Sequence, residues 1–395
     1  MIESKENTAG GTTRFQDITG PVDLTRELLR HRTVTDDGSP DFVESFSKWL
    51  AQAGFEVKQV EAGEKRHILA TIGPESPNLR VAFIGHYDTV PVGQGWKHPP
   101  FGAVVENGVL YGRGASDMKS GDAAMIFAAL ALANEGVHST VFLPGDEETA
   151  SKGMPALLDL VREPIDCCIC GEPTSKTRLG DCLKIGRRGC IAGTVTLRGQ
   201  AGHAAYAQIT PNIIHELPDV IRRLSAPWGD ERYGTETTLS ITNITTDSTA
   251  LNVIPGSVTL TFDARFAPGR DVDEIEREIQ SRLDSTGVKC ELNVSKRSPS
   301  YLTDVSADPD SVQAKFVECA VREIERSVGI APAITCDGGA SDARFIAAKG
   351  VPTIEFGVPH GNMHGPDEFV EVSNIEMLRD IYVRIMSVFA DRLRS

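Results

Sequence analysis

The sequence predicts an α/β protein in which a layered strand–helix domain is interrupted by a split βαβ unit. Three observations predict it. Four short apolar runs, HILATIG (67–73), VAFIGHYDTV (81–90), STVFLPGDEE (139–148) and DCCICGEP (166–173), end in Gly, Pro or an acid, as buried strands do. Helical stretches stand between them, so strand and helix alternate as in layered α/β folds. From about Arg187 the pattern changes to half-exposed alternation, and the first style returns near residue 299.

Taken in order, residues 1–20 are polar and Gly/Thr-rich and predict a loose arm. Amphipathic helices follow at Val22–Arg30 and Asp41–Ala53; Phe42, Phe46, Leu50 and Ala53 recur at helical spacing in the second. Ser120–Asn134 reads as a long Ala-rich buried helix and Met154–Val161 as a shorter one. The inserted part then reads strand (190–199), helix (Ile213–Leu224), strand (237–246), strand (257–266), helix (Val272–Leu283), strand (288–297). That order is the split βαβ, or ferredoxin-like, arrangement. Asp271 and Glu274 form a capping-box-like start to its second helix. After the insertion come a helix at Ser311–Ile324, the Gly-rich stretch 332–350, the apolar run 351–358, and a last helix at Ile375–Arg392. The expected division is a discontinuous domain of residues 1–187 and 299–395, with residues 188–298 inserted.

Composition narrows the function. With 40 basic against 55 acidic residues the net charge is −15, and no Lys/Arg-rich run occurs, so neither nucleic acid nor an anionic membrane is an expected partner. The longest apolar run, Ala123–Ala133, has eleven residues, below the roughly 18 that a bilayer span needs. The opening MIESKENTAGG has no apolar stretch of the secretory type. Eight cysteines in 395 residues do not make a disulfide scaffold, so reduced thiols and a cytoplasmic setting are expected. Cys167, Cys168 and Cys170 sit together; as a thiol sensor they would have to be accessible.

Acids and histidines recur at the ends of the predicted strands: His86 and Asp88, Glu147 and Glu148, and Glu172. Asp117 lies in GRGASDMKSG before the long helix, and His364 in NMHGPDEFV. The carboxyl ends of strands are where sites assemble in open α/β sheets. GRGAS is not a phosphate loop, because it lacks the GK[ST] ending and the G-x-G-x-x-G spacing. Two histidines and three carboxylates suit a pair of divalent ions such as zinc, one carboxylate bridging. Of adjacent Glu147 and Glu148, one could bind metal while the other stays free as a base.

GHYDTVPVG, YGRGASDMKSG, PGDEE, GEPT and the late His364 resemble the di-zinc aminoacylase/carboxypeptidase family over nearly the whole chain after residue 20. The resemblance implies a zinc-peptidase catalytic domain, its mixed sheet flanked by helices, and an inserted lid that also dimerises. It also implies hydrolysis of an N-acyl amino acid by two Zn2+ per subunit, with Co2+ able to substitute. GDCLKIGRRG, GHAAY, NVIPG, DARF, DGGASDARFIA and IEFG resemble the family's desuccinylase branch most, which implies N-succinyl-LL-diaminopimelate as substrate.

By that resemblance Asp117 bridges the metals, His86 and Glu172 complete one site, and Glu148 and His364 complete the other. Asp88 orients His86, and Glu147 is the general base. His203, from a partner subunit's lid in this family, contacts the oxyanion, so a homodimer through the lid is implied. Substrate carboxylates fall to Lys184, Arg187, Tyr206, Asn252, Arg265 and the Gly338–Gly339 loop; arginine can grip a carboxylate with two parallel bonds.

Three positions depart from the branch pattern: Ala340 stands for Thr in GGTS, Cys190 for Ser in RRGS, and Leu251 for the first of two Asn. Each removes a polar group from a recognition motif. Another N-acyl amino acid deacylase of the acetylornithine deacetylase kind, or a dipeptidase or carboxypeptidase, is the alternative within enzymes. A non-catalytic binding homologue is the alternative outside them, although every metal position of the family is filled. Trp96 is expected to pack the loop beside the metal cleft, His98 not to be a ligand, and Arg188 to serve an ion pair.

Overall fold

A computed structural model describes residues 15–35, 40–306 and 308–394. Positions 1–14 of the expected arm lie outside the described residues. Beyond them, Phe15 stacks on His31 and Phe46, with ring centroids 5.1 and 5.3 Å apart. The chain forms two compact units: residues 1–182, 315–332 and 355–395, and residues 183–314 and 333–354.

The first unit is built on a mixed sheet. Leu79–Ile84 pairs in parallel with Val137–Leu143 on one side and Cys167–Cys170 on the other. Lys65–Ile72 adds antiparallel to Val137–Leu143, and Glu56–Ala62 closes a hairpin with it. The central strands are apolar because both faces are covered; Val81, Ala82, Phe83, Cys167 and Cys168 are fully buried. The hairpin strand EVKQVEA has no fully buried residue, and its polar run does not read as a strand.

Helices cover the sheet. Pro21–Arg30 starts on a proline whose missing N–H costs nothing at a first turn, and buries Leu24, Leu28 and Leu29. Ser120–Ala133 is apolar on nearly every side because it is enclosed, and the C-terminal helix Val372–Arg394 packs beside it. Two glycines permit close packing here. A Cβ on Gly121 would stand 2.5 Å from the Gly171 carbonyl oxygen, and one on Gly85 would stand 1.9 Å from Asp122 Oδ1. A small antiparallel sheet joins Val104–Glu106, Val109–Tyr111 and Phe369–Glu371; its first turn is Asn107–Gly108, both at positive φ.

The second unit contains a four-stranded antiparallel sheet in the order Thr238–Thr246, Ser257–Phe266, Gly189–Arg198, Cys290–Ser298. This is the strand order of a split βαβ unit. Ser257–Phe266 alternates strictly, and Val258, Leu260, Phe262 and Phe266 form a core with Ile275, Ile279, Leu283, Val220 and Leu224 of the two helices. The predicted helix 213–224 divides into a short 3-10 turn, Ile213–Glu216, and an α-helix, Leu217–Leu224. Pro218 explains the division: it cannot donate a backbone bond, so it sits in the first α-turn. At the second helix Asp271 caps the N–H groups of Asp273 and Glu274 at 2.8 and 3.3 Å. Glu274 does not reach back to complete the box; its carboxylate takes Arg270.

Candidate metal centre

The parallel strands deliver the site. His86 and Asp88 follow Leu79–Ile84, Glu147 and Glu148 follow Val137–Leu143, and Glu172 follows Cys167–Cys170. Parallel pairing brings these exits to one sheet edge. Asp117 enters from the turn Ala115–Lys119 at the start of Ser120–Ala133. His364 enters from the loop before Phe369–Glu371, with φ of +62°.

Two groups of ligand atoms result. His86 Nε2 lies 3.2 Å from Asp117 Oδ1 and 3.8 Å from Glu172 Oε1. His364 Nε2 lies 3.2 Å from Asp117 Oδ2 and 3.1 Å from Glu148 Oε1. The groups His86–Asp117–Glu172 and Asp117–Glu148–His364 each fit within 4.8 Å and share Asp117, which offers a different oxygen to each imidazole. Glu147 belongs to neither group.

Asp88 organises both sides. Its backbone carbonyl takes His86 Nδ1 at 3.0 Å, with its carboxylate 3.4 Å away. A donating Nδ1–H leaves the Nε2 lone pair turned to the site. The carboxylate of Asp88 accepts the backbone N–H groups of Glu147 and Glu148 at 3.3 and 3.2 Å. Asp146 ties the same loop by accepting Lys152 and Gly153 N–H at 2.7 and 3.1 Å.

The donor chemistry fits divalent cations. Burial alone would push His86 down and Asp117 up. Hydrogen bonds outweigh it: those with Asp117 and Asp88 hold His86 well above the ordinary histidine value, and those with His364 and His86 hold Asp117 well below the ordinary carboxylate value. His364, bonded to Asp117 and Glu148, is raised to about 10. The carboxylates favour positive charge at the imidazoles, and divalent cations held among the same atoms would meet the same demand.

Several neighbours lie within or beside the same motifs without being ligands. Arg113 and Glu368 form a fully buried ion pair at 2.7 Å beneath the Asp117 turn. The Arg113 guanidinium lies over the Trp96 indole, its Cζ 5.2 Å from the ring centroid. His98 stacks on Tyr111 and bridges Glu106 and Asp367, outside both ligand groups. The thiol-sensor reading is overturned: Cys167, Cys168 and Cys170 are at most 1% exposed, and burial pushes the Cys167 and Cys170 thiols well up.

The substrate-recognition candidates lie in the second unit. Lys184 is buried and donates to the Asp337 carboxylate and carbonyl at 2.6 and 2.8 Å. Arg187 is buried beside it, where Gly338, at φ +101°, leaves no room for a Cβ against the guanidinium. Gly339 has open space around it. Arg265 is gripped on both arms by Asp263 at 2.6 and 3.1 Å, and its cross-strand partner is Cys190. His203 Nδ1 accepts the Ala205 N–H at 3.1 Å, and its ring meets that of Tyr206 edge-on at 5.8 Å. Asn252 holds the Ala204 N–H through its carbonyl at 2.9 Å.

Residues 82–388 match the peptidase family M20/M25/M40. The succinyl-diaminopimelate desuccinylase of Acidiphilium cryptum is 38% identical over 378 residues, covering 93% of this chain and 97% of its own. That of Parvibaculum lavamentivorans is 37% identical over 393 residues, covering 94% and 96%. Among solved structures, aminopeptidase PepT from Bacillus cereus superposes with a TM-score of 0.73 at 20% identity, covering 94% of this chain and 98% of that one. An M20 family metallo-carboxypeptidase from Sulfolobus solfataricus gives 0.72 at 17% identity, covering 95% and 100%. The chain belongs to the M20/M25/M40 peptidase family, and it is a metal-dependent hydrolase of amide bonds. Among the described residues, no helix is long and apolar enough to cross a membrane.

Proposed function

We propose that the chain removes the succinyl group from N-succinyl-LL-diaminopimelate, using two Zn2+ held by His86, Asp117, Glu148, Glu172 and His364. The observation that carries the chemistry is Asp117 shared by two complete ligand groups. The substrate reading rests on the near full-length likeness to relatives named succinyl-diaminopimelate desuccinylase. Such a substrate belongs to diaminopimelate and lysine biosynthesis, a cytoplasmic setting.

When bound, the divalent ions supply Lewis acidity, lowering the pKa of water toward neutrality and polarising the scissile carbonyl. The chain's residues do the rest. Glu147 accepts the proton of the attacking water and returns it to the departing amine. His203, supplied from a partner subunit's inserted unit, donates to the oxyanion. Its geometry supports that role: with Nδ1 accepting from Ala205, the neutral ring carries its proton on Nε2. Lys184, Arg187, Tyr206, Asn252, Arg265 and the backbone of Gly338 and Gly339 hold the substrate carboxylates. Arg265 then exchanges or shares the grip of Asp263 when substrate arrives.

A homodimer through the inserted unit accompanies this reading. Thr238–Thr246 is an edge strand with Ile244 half exposed, and in the same unit Ile209 is 75% exposed and Leu251 fully so. Replacement of branch-pattern polar residues by Ala340, Cys190 and Leu251 favours one alternative, a deacylase with a different acyl or amino-acid preference. The test is primary-amine release from N-succinyl-LL-diaminopimelate, N-acetylornithine and a dipeptide panel, with Glu147→Ala alongside. Turnover highest on the succinyl substrate and lost in Glu147→Ala is expected. Turnover only on another substrate overturns the desuccinylase reading.

A further inference from the structure

We infer that Glu368 and Arg113 are a positioning pair that sets the shared ligand Asp117 and the His364 loop for metal binding. The inference rests on the ligand reading above, and the experiment separates the two.

Glu368 is fully buried, and every polar contact of its carboxylate goes to the Asp117 turn or to Arg113. Oε1 accepts the N–H groups of Ser116 and Asp117 at 2.9 and 3.0 Å and the Ser116 hydroxyl at 3.0 Å. Oε2 accepts the Gly114 N–H at 2.9 Å and Arg113 Nη1 at 2.7 Å. Three backbone N–H groups over 114–117, the Ser116 hydroxyl and the Arg113 guanidinium are thus held by one side chain. Arg113 extends the clamp to two other loops. Its Nη2 donates to the His364 carbonyl at 3.2 Å and to the Val92 and Pro91 carbonyls at 3.2 and 3.3 Å. Trp96 caps the guanidinium and donates to Val92 O at 2.7 Å. One ion pair thus touches the loop after Asp88, the turn bearing Asp117, and the backbone of His364 itself.

A merely stabilising role fits this poorly. A buried ion pair is a weak source of stability, because desolvation offsets most of its attraction. What it does supply is directional specificity, and here nearly all of that falls on segments bearing ligands. His364 has φ of +62°, a conformation that L residues rarely adopt, and Arg113 holds its carbonyl there. Neither Glu368 nor Arg113 belongs to a ligand group, so both act through the residues they hold.

The experiment is zinc binding by chelator competition, with stoichiometry, on Glu368→Gln, Arg113→Lys and Asp117→Asn beside the wild type. Thermal midpoint, kcat and KM are read on the same samples. An amide can accept on one side only, so Glu368→Gln leaves Gly114 N–H and Arg113 facing an NH2. Folded Glu368→Gln is expected to bind zinc about 10- to 100-fold more weakly, with kcat falling and KM little changed. Arg113→Lys keeps the charge but loses the planar fork, and is expected to weaken zinc binding in the same direction; it decides the matter should Glu368→Gln fail to fold. Wild-type zinc affinity in folded variants, with only a lower midpoint, overturns the inference. Asp117→Asn binding two zinc ions as the wild type does would overturn the ligand reading instead.

Discussion

The carboxylate of Asp88 accepts the backbone N–H of Glu148 at 3.2 Å, while the carbonyl of the same residue holds His86 Nδ1 at 3.0 Å. One residue thus sets a ligand from each of the two groups. Asp88→Ala should lower kcat/KM by about 10- to 100-fold and weaken metal affinity by a similar factor. Steady-state kinetics and chelator competition check this. Loss of activity with unchanged metal affinity would place the function of Asp88 elsewhere.

Removing metal should destabilise the first unit as well as abolish turnover. Cations bound to the native state alone stabilise it by about 2.7 kcal/mol when present at 100 times their Kd. A strong chelator should therefore lower the thermal midpoint, and zinc added back should restore both midpoint and activity. Calorimetry on the two forms measures it.

Asp122 gives a pH dependence of defined sign. It is fully buried, neither carboxylate oxygen has a hydrogen-bond partner, and burial pushes its pKa up to about 8. The unfolded chain loses the same proton near pH ~4. Between these values the native state holds a proton that the unfolded state lacks, so stability from this group falls as pH rises through that window. Above about 8 both states are ionised and the dependence ends. Asp122→Asn should raise the thermal midpoint more at about pH 8.5 than at about pH 5. Equal shifts at both pH values would contradict the assignment.

The cysteines make a simpler prediction. Seven of the eight are buried, and Cys290 has intermediate exposure. A thiol reagent should modify Cys290 first in the native protein and all eight only after denaturation, as mass mapping would show. Rapid native labelling of Cys167, Cys168 or Cys170 would contradict the packing of the central sheet.

What could be read from sequence followed from burial and local chemistry. The central strands were legible because a strand covered on both faces is continuously apolar, and the ligands because each stands where such a run stops. The strand Glu56–Ala62 was not, since an edge strand open to solvent can stay polar. The hairpin over 104–111 carries a signal in Asn107–Gly108, flanked by Val, Leu and Tyr, but its strands are only three residues long. Arg113 and Glu368 lie inside YGRGASDMKSG and NMHGPDEFV, but nothing local marks them as partners. Their partnership spans 255 residues, and only folding brings an arginine between glycines to the acid that follows HGPD.

The central claim is that Asp117 is shared by two metal ions. Anomalous diffraction from zinc-loaded crystals tests it most directly. The account predicts two peaks about 3.5–4 Å apart, one beside His86 and Glu172, the other beside Glu148 and His364, with Asp117 between them. A single peak, or peaks away from Asp117 at full occupancy, would contradict it.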